Sequence, residues 1–305
     1  MADASNLLTS ADFPVSQDDS EAISSEIKNI ADAGFSSRQN PLLIVVVGQP
    51  ASGKSRTLVH IQREYECSMV TLDSDELRLL HPKMDDIIQA DPYRMDVLSN
   101  APVSTWMSGL IEHCRHSKFD TIIENTLTNP SQIRETARAF KEEGFTVRLE
   151  VLAVPEPVSR LGIVTRYLAG VDGDDFPRWT TEASHRKALA SIPEGVRHLE
   201  SAFDEIWVRD RKGGALYAGT DSDSAADALE KRLSEGLSPD QLKEWIADYT
   251  EVAPRVGQDI SIVDRTRTVL RNLVADAEEI VPPSRFPEAH ETLIETVLNG
   301  GEDTD

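Results

Sequence analysis

Leu42-Leu43-Ile44-Val45-Val46-Val47 runs directly into Gly48-Gln49-Pro50-Ala51-Ser52-Gly53-Lys54-Ser55. The first six residues are aliphatic and four of them β-branched, the composition of a strand buried on both faces. The next eight satisfy G-x-x-x-x-G-K-[ST] without a mismatch. Arg56 to Glu66 then reads as a helix. Strand, glycine loop and helix together let backbone N–H groups and a helix N-terminus surround a polyphosphate. Gly48 and Gly53 permit the tight turn, and Gln49, Pro50, Ala51 and Ser52 complete the cradle. Lys54 is suited to bridging β- and γ-phosphate oxygens, and the Ser55 hydroxyl to holding Mg²⁺.

The flanking sequence extends this unit into a sheet. Ser68 to Asp73, Phe119 to Glu124, Val147 to Val154 and Glu205 to Arg209 read as further strands. Pro102 to His116, Pro130 to Glu143 (closed by Gly144) and the stretch from Pro155 to Ala169 read as helices between them. Ala215 to Ala218 is placed to pair with the last strand across Gly213-Gly214. Alternation of this kind predicts an α/β fold: a mostly parallel sheet with helices on both faces. Ligands in such sheets bind beyond the C-terminal strand ends. Three regions follow: an acidic segment over 1–40, a phosphate-loop domain over 41–220 and a helical extension over 221–305. In the first, residues 1–20 are expected to be mobile, and Ser20 to Ala33 forms a helix with Ile23, Ile27 and Ile30 on one face. The extension is expected to hold helices at 225–233, 239–247, 262–280 and 288–298, with Pro282-Pro283 breaking the last two apart.

Composition narrows the class. The 305 residues carry 31 Lys plus Arg against 53 Asp plus Glu, a net charge of −22. A nucleic-acid backbone as main partner would require a basic surface, so it is excluded as an expectation. Cys67 and Cys114 lack a metal spacing and are too few for a disulfide framework; both are expected to be packed free thiols. No apolar run is long enough to span a bilayer, and Met1 to Val15 lacks a secretory signal pattern, so a cytoplasmic protein without membrane attachment is expected.

The residues after each later strand are the candidates for chemistry. Asp73-Ser74-Asp75-Glu76 follows the second strand. A carboxylate here would accept the proton of an attacking hydroxyl or hold Mg²⁺. The same residues would equally suit the start of a helix, whose dipole favours acidic side chains. Spacing does not choose between Asp73 and Asp75. Glu124-Asn125-Thr126-Leu127-Thr128 follows the third strand and would either bind an acceptor or form a turn before Pro130. Arg160 and Arg166 lie on the next helix. The loop Gly170 to Trp179 has the glycines and acidic residues of a mobile lid, with Arg178 near its end. Arginines so placed stabilise transferring phosphoryl charge, though surface ion pairs would account for them as well. His185 reads as a partly exposed helix residue. Trp106, Trp179, Trp207 and Trp245 read as core or lid packing.

These blocks, in this order, resemble the zeta toxin family of epsilon–zeta type toxin–antitoxin systems over roughly residues 20 to 218. The resemblance is carried by the loop at 48–55, Leu-Asp-Ser-Asp-Glu-Leu-Arg-Leu-Leu-His-Pro at 72–82, Ile-Ile-Glu-Asn-Thr at 122–126, Leu-Ala-Val-Pro at 152–155 and Thr-Arg-Tyr at 165–167, with Arg178 and His185 seven residues apart. It implies a P-loop kinase that uses ATP and Mg²⁺ to phosphorylate the 3′-hydroxyl of the amino sugar of UDP-N-acetylglucosamine, blocking peptidoglycan precursor synthesis, and it implies an antitoxin partner. By position it makes Asp75 the base, Lys54 and Ser55 the phosphate and Mg²⁺ ligands, and Arg166 and Arg178 the clamp on the transferring phosphate. The nucleotide-sugar substrate would meet Asp75, Ser108, Glu124, Thr126, Thr128 and Thr136. Four positions depart from the family. Ala51 replaces a usual glycine. Ser108 stands where the family has glutamate, with Glu112 one turn on as a substitute carboxylate. Asn125 and Thr128 replace a frequent glycine and arginine.

Two other readings are compatible with the same fold. One is a small-molecule kinase with a different hydroxyl acceptor, such as an antibiotic, a nucleoside or another sugar. The other is a nucleotide-dependent interaction protein. The second is disfavoured by the lack of an Asn-Lys-x-Asp motif and of a Leu-Ser-Gly-Gly-Gln motif.

Overall fold

Leu42–Val47 forms β1, and five of its six side chains are buried. Leu43, Val45 and Val47 point into one hydrophobic layer, Ile44 and Val46 into another. A strand buried on both faces belongs at the centre of a sheet, and β1 lies there. The computed structural model describes residues 8–173, 178–219, 222–256 and 260–298. Along that chain the order is α1 (Gln17–Gly34), β1, α2 (Lys54–Glu64), β2 (Val70–Leu72), α3 (Ser74–Arg78), α4 (Met84–Ala90), α5 (Met95–Leu98), α6 (Asn100–Ser117), β3 (Thr121–Asn125), α7 (Pro130–Glu142), β4 (Thr146–Leu152) and α8 (Glu156–Val171). Then come α9 (Glu182–Leu199), β5 (Glu205–Arg209), β6 (Ala215–Gly219), α10 (Ser222–Ser234), α11 (Pro239–Val256), α12 (Ile260–Ile280) and α13 (Ala289–Leu298).

The strands lie in the order β2-β3-β1-β4-β5-β6. The first five run parallel, and β6 returns antiparallel on β5. This is the expected α/β sheet. Register places Val46 opposite Glu124 and Val47 opposite Asn125, so the polar end of β3 emerges beside the phosphate loop. One face of the sheet packs against α1, α6, α7, α9 and α10, with Phe140, Ile192 and Leu229 among its buried side chains. The other packs against α2 through Leu58 and Ile61. Helix α8 is buried on nearly every side, Ser159 to Val164 without interruption. It shares an apolar cluster with Trp245, Tyr249, Leu270 and Leu273 of α11 and α12. The helical extension therefore covers α8.

Several expectations need correction. The described part of the N-terminal stretch is packed onto the fold: Phe13 is buried against Met84, Ile87, Met95 and Leu98. Residues 1–7 of the segment expected to be mobile lie outside the described residues. Ile23 and Ile27 of α1 do pack inward, but Ile30 is 63% exposed and Ala31 takes its place. The α4–α5 region was not expected from the sequence, and of the 18-residue α9 only His185 was expected to be helical; Pro193 and Gly195 inside α9 obscure its periodicity. Helix α11 runs on through Pro254 to Val256. Cys114 is buried, and burial pushes its thiol up to about 12, but Cys67 is exposed. Trp106, Trp179 and Trp245 are buried, whereas Trp207 is half-buried, with Arg148 and Arg209 guanidinium groups 5.1 and 4.5 Å from its ring centre. Among the described residues no helix is long and apolar enough to cross a membrane.

Candidate active site

The phosphate loop is shaped by two glycines. Gly53 caps α2 at φ +98°, a left-handed conformation that only glycine adopts without strain. A Cβ on Gly48 would lie 2.6 Å from the Ser52 hydroxyl and 3.1 Å from the Leu152 side chain. Ala51, expected from the resemblance to stand in place of a glycine, also lies in the left-handed region, at φ +59°. For a residue with a Cβ this costs roughly 1 kcal/mol. The substitution is therefore not neutral to the backbone. Gln49 is buried and fixes the loop to the end of β4, its amide donating to Val154 O at 2.6 Å and to the Ser159 hydroxyl at 3.3 Å.

Lys54 is buried beneath the loop. Its ammonium donates to Gly48 O (2.9 Å) and Gln49 O (3.1 Å) and lies 3.7 Å from the Glu124 carboxylate. Burial lowers the Lys54 pKa, an effect that Glu124 partly opposes. Burial likewise pushes Glu124 up, to about 7, despite the nearby ammonium. The ordinary tendency of both groups is thus shifted toward neutrality at the floor of the site.

The two aspartates after β2 have separate surroundings. Asp73 is the N-cap of α3, accepting the Asp75 backbone N–H at 2.8 Å. That is the helix-start role, and burial raises its carboxyl. Asp75 projects from the first turn of α3 between two arginines. It accepts from Arg78 at 2.6 Å and from Arg178, its partner across the site. Burial works against ionisation of Asp75, yet Arg178, Arg78 and Arg166 together hold its carboxyl below the ordinary aspartate value. Arg78 was not singled out in the sequence. Its spacing of three residues from Asp75 on a helix is the signal that identifies it.

Arg166 of α8 donates to the Thr180 hydroxyl at 3.1 Å. Arg178 precedes Trp179, which packs edge-on against Tyr93 and Tyr167; those two rings stack with centroids 5.5 Å apart. This aromatic cluster fixes the end of the loop carrying Arg178. Of the expected lid, residues 174–177 lie outside the described residues.

Two hollows meet at this point. One, of about 270 Å³, is lined by Pro50, Lys54, Asp75, Arg166 and Arg178 among others. The second, of about 230 Å³, is lined by Ser108, Asn125, Ile133 and Thr136. Ser74, Glu124 and Thr126 line both. Ser108 and Thr136 thus reach the site, each with its hydroxyl donating to the preceding turn of its helix. Thr128 does not: it is exposed and lines neither hollow. The cause is local. The Asn125 side chain accepts the Leu127 N–H at 2.7 Å, and Leu127 turns at φ +58° and buries its own side chain. Asn125 is therefore a turn residue as well as a wall. Glu112 does not substitute for a carboxylate at Ser108, since it points to Arg115 and His116 and lines neither hollow.

A third hollow joins Ser55, Asp73, Asp75, Glu76 and Arg178. Its carboxylate and hydroxyl oxygens, from Ser55, Asp73, Asp75 and Glu76, are of the type Mg²⁺ takes. A different cluster, Glu156, Glu182 and His185, has metal-like spacing. Its cation is already present: Arg160, itself buried, bonds Glu156, Glu182 and Asp276. Arg160 is thus neither a site residue nor a surface arginine. His185 is wholly buried, with Nε2 2.8 Å from the Ser159 hydroxyl, which corrects its expected exposure.

The sequence model of the Zeta toxin family matches residues 27–222. The chain belongs to the zeta toxin family. Toxin zeta of Enterococcus hirae is 26% identical over 212 residues, covering 67% of this chain and 73% of that protein. Toxin PezT of Streptococcus pneumoniae serotype 4 is 25% identical over 206 residues, covering 66% and 81%. A solved chain from the PezAT chromosomal toxin–antitoxin system of Streptococcus pneumoniae aligns with a TM-score of 0.68 at 20% identity, covering 81% of this chain and 98% of that one. The fold is that of a P-loop kinase with a helical C-terminal part.

Proposed function

We propose that this zeta toxin family member is a phosphotransferase that moves the γ-phosphoryl group of ATP to a sugar hydroxyl, with UDP-N-acetylglucosamine as acceptor. The observation that carries the reading is Asp75, placed between Arg78 and Arg178 and facing the hollow that Lys54 floors. Lys54 and the loop N–H groups bind the donor phosphates. Ser55 and Asp73, with Asp75 beside them, supply oxygen ligands for Mg²⁺, which neutralises phosphate charge when bound.

Asp75 accepts the proton of the attacking hydroxyl. A carboxylate held ionised by arginines is a weak base while those pairs persist. The donor relieves this: the γ-phosphate competes for Arg178 and Arg166, and Asp75 is released toward the acceptor as the arginines engage the phosphoryl oxygens. Acceptor binding is supported by the paired hollows. Small-molecule sites usually run to about 300–1,000 Å³, so a nucleotide sugar would span both, resting on Glu124 and Thr126 at their junction, with Ser108 and Thr136 farther along. Thr128 has no part in this scheme. The departure at Ser108 removes one carboxylate that would otherwise meet the acceptor.

The relatives described as toxins, and the PezAT system in particular, support an antitoxin as protein partner. The test is ADP release from ATP and Mg²⁺ with and without UDP-N-acetylglucosamine. Acceptor-dependent release, lost in Lys54→Ala and Asp75→Ala, supports the reading. Release that another hydroxyl compound stimulates instead moves the acceptor assignment to that compound.

A further inference from the structure

Gln49 is fully buried inside the phosphate loop, and its amide donates to Val154 O at 2.6 Å and to the Ser159 hydroxyl at 3.3 Å. Its side-chain carbonyl makes no hydrogen bond, so the amide nitrogen alone holds this side chain to polar groups. The backbone of the same residue bears on the donor. Gln49 O is one of two carbonyls that accept from the Lys54 ammonium, Gly48 O being the other. A shift of Gln49 therefore shifts the cation that meets the phosphates.

Behind Gln49 the hydrogen bonds continue. Ser159 of α8 and His185 of α9 are both wholly buried, and the Ser159 hydroxyl lies 2.8 Å from His185 Nε2. The hydroxyl also reaches Glu156 O at 3.1 Å and Pro155 O at 3.5 Å. It has one proton to give and two lone pairs to offer. Burial lowers the His185 pKa, against the pull of Glu182, and a neutral imidazole carries a single N–H. His185 Nδ1 has no partner. Orphaned buried N–H groups are rare, so the network assigns the proton to Nε2, aimed at Ser159. The Ser159 proton then goes to Glu156 O, and its lone pairs receive His185 from one side and Gln49 from the other. The neighbouring carboxylates do not compete, since Arg160 bonds Glu156 and Glu182 and Arg186 also pairs with Glu182.

We propose that Ser159 and His185 are positioning residues for the donor phosphates, acting through Gln49 on Lys54. The inference rests on the kinase reading and goes beyond it by giving two buried groups outside the site a part in donor binding. Neither residue lines the hollows around Asp75 and Lys54, so their effect on the donor has to travel through the loop.

Titration calorimetry with Mg-ATP on the full chain reads donor binding without any acceptor, and thermal melts of the same variants read stability. Ser159→Ala removes only the hydroxyl and is expected to weaken Mg-ATP by about fivefold. In a Gln49→Met background the same change is expected to cost less than about twofold, because the link is already cut. His185→Met fills the space without the N–H and is expected to lose about fivefold. His185→Gln, whose amide can offer an N–H to Ser159, is expected to stay within about twofold of wild type. Wild-type affinity in Ser159→Ala overturns the proposal, whether or not its Tm falls, as does an equal loss with and without the Gln49 amide. Equal losses in His185→Gln and His185→Met overturn the part assigned to His185. If the His185 variants fail to fold, Ser159→Ala and its cycle with Gln49→Met decide. Wild-type protein that binds no Mg-ATP refutes the kinase reading itself.

Discussion

Replacing Gly162 with alanine perturbs the phosphate loop from the helix behind it. In the interior of α8 the change gains about 1 kcal/mol of helix propensity. The new Cβ, however, would lie 3.0 Å from Ala51 O, 3.2 Å from Ala51 Cβ and 3.2 Å from Arg211 Nη2. The arginine end can swing away. Ala51 O is backbone in a residue already at φ +59°, so the loop must yield by a few tenths of an ångström. The propensity gain and the steric cost are of similar size, so global stability should change by less than about 1 kcal/mol. Function should not be spared. Misplacement by about 1 Å can cost on the order of 100-fold in rate, and a shift of a third of that predicts a several-fold rise in KM for ATP with a smaller fall in kcat. Thermal melts and steady-state kinetics measure the two effects separately. An unchanged Tm with unchanged ATP kinetics would refute the argument that Gly162 exists to admit the loop.

Asp75→Asn should reduce transfer by about 100-fold or more, whereas Asp73→Asn, which keeps an N-cap acceptor, should retain more of the rate; single-turnover phosphoryl transfer compares them, and the reverse order would move the base to Asp73. Glu124 binds its proton more tightly when folded, with a pKa of about 7 against an ordinary 4.5. Its contribution to stability therefore falls as pH rises from 4.5 to 7, by at most on the order of 3 kcal/mol. Glu124→Gln should flatten that decline in a Tm-against-pH series, and an identical slope in both proteins would count against the buried carboxyl. Arg160→Met should destabilise by about 3 kcal/mol, because it leaves the partly buried Asp276 without its cation and buried Glu182 with only the exposed Arg186; denaturant unfolding reads this, and a change below about 1 kcal/mol would contradict it.

What the sequence made legible was whatever local chemistry dictates. The aliphatic run at 42–47 could only be a buried central strand, and the loop after it needed glycine at Gly48 and Gly53 for reasons visible in any peptide. Pairing of 215–218 with β5 followed from the Gly213-Gly214 turn. What stayed hidden depended on contacts distant in sequence. Asp73 and Asp75 look alike in the chain, and only the cap geometry of α3 and the approach of Arg178 from 103 residues away distinguish them. Thr128 looked like a wall residue until the Asn125 turn directed it outward. Arg160 and His185 looked like surface groups because the partners of Arg160 lie on α9 and α12 and that of His185, Ser159, lies on α8. Phe13 showed no periodic pattern, since it docks alone into a cluster built by α4 and α5.

The central claim is that phosphate leaves ATP for a sugar hydroxyl in the hollow shared by Lys54, Asp75 and Glu124. The direct measurement is phosphorus and proton NMR of the product formed from ATP, Mg²⁺ and UDP-N-acetylglucosamine. The account predicts a new phosphate monoester on the 3′-hydroxyl of the amino sugar, formed by wild type and not by Asp75→Ala. Unmodified sugar nucleotide beside ATP that is intact or hydrolysed to ADP and free phosphate would contradict it.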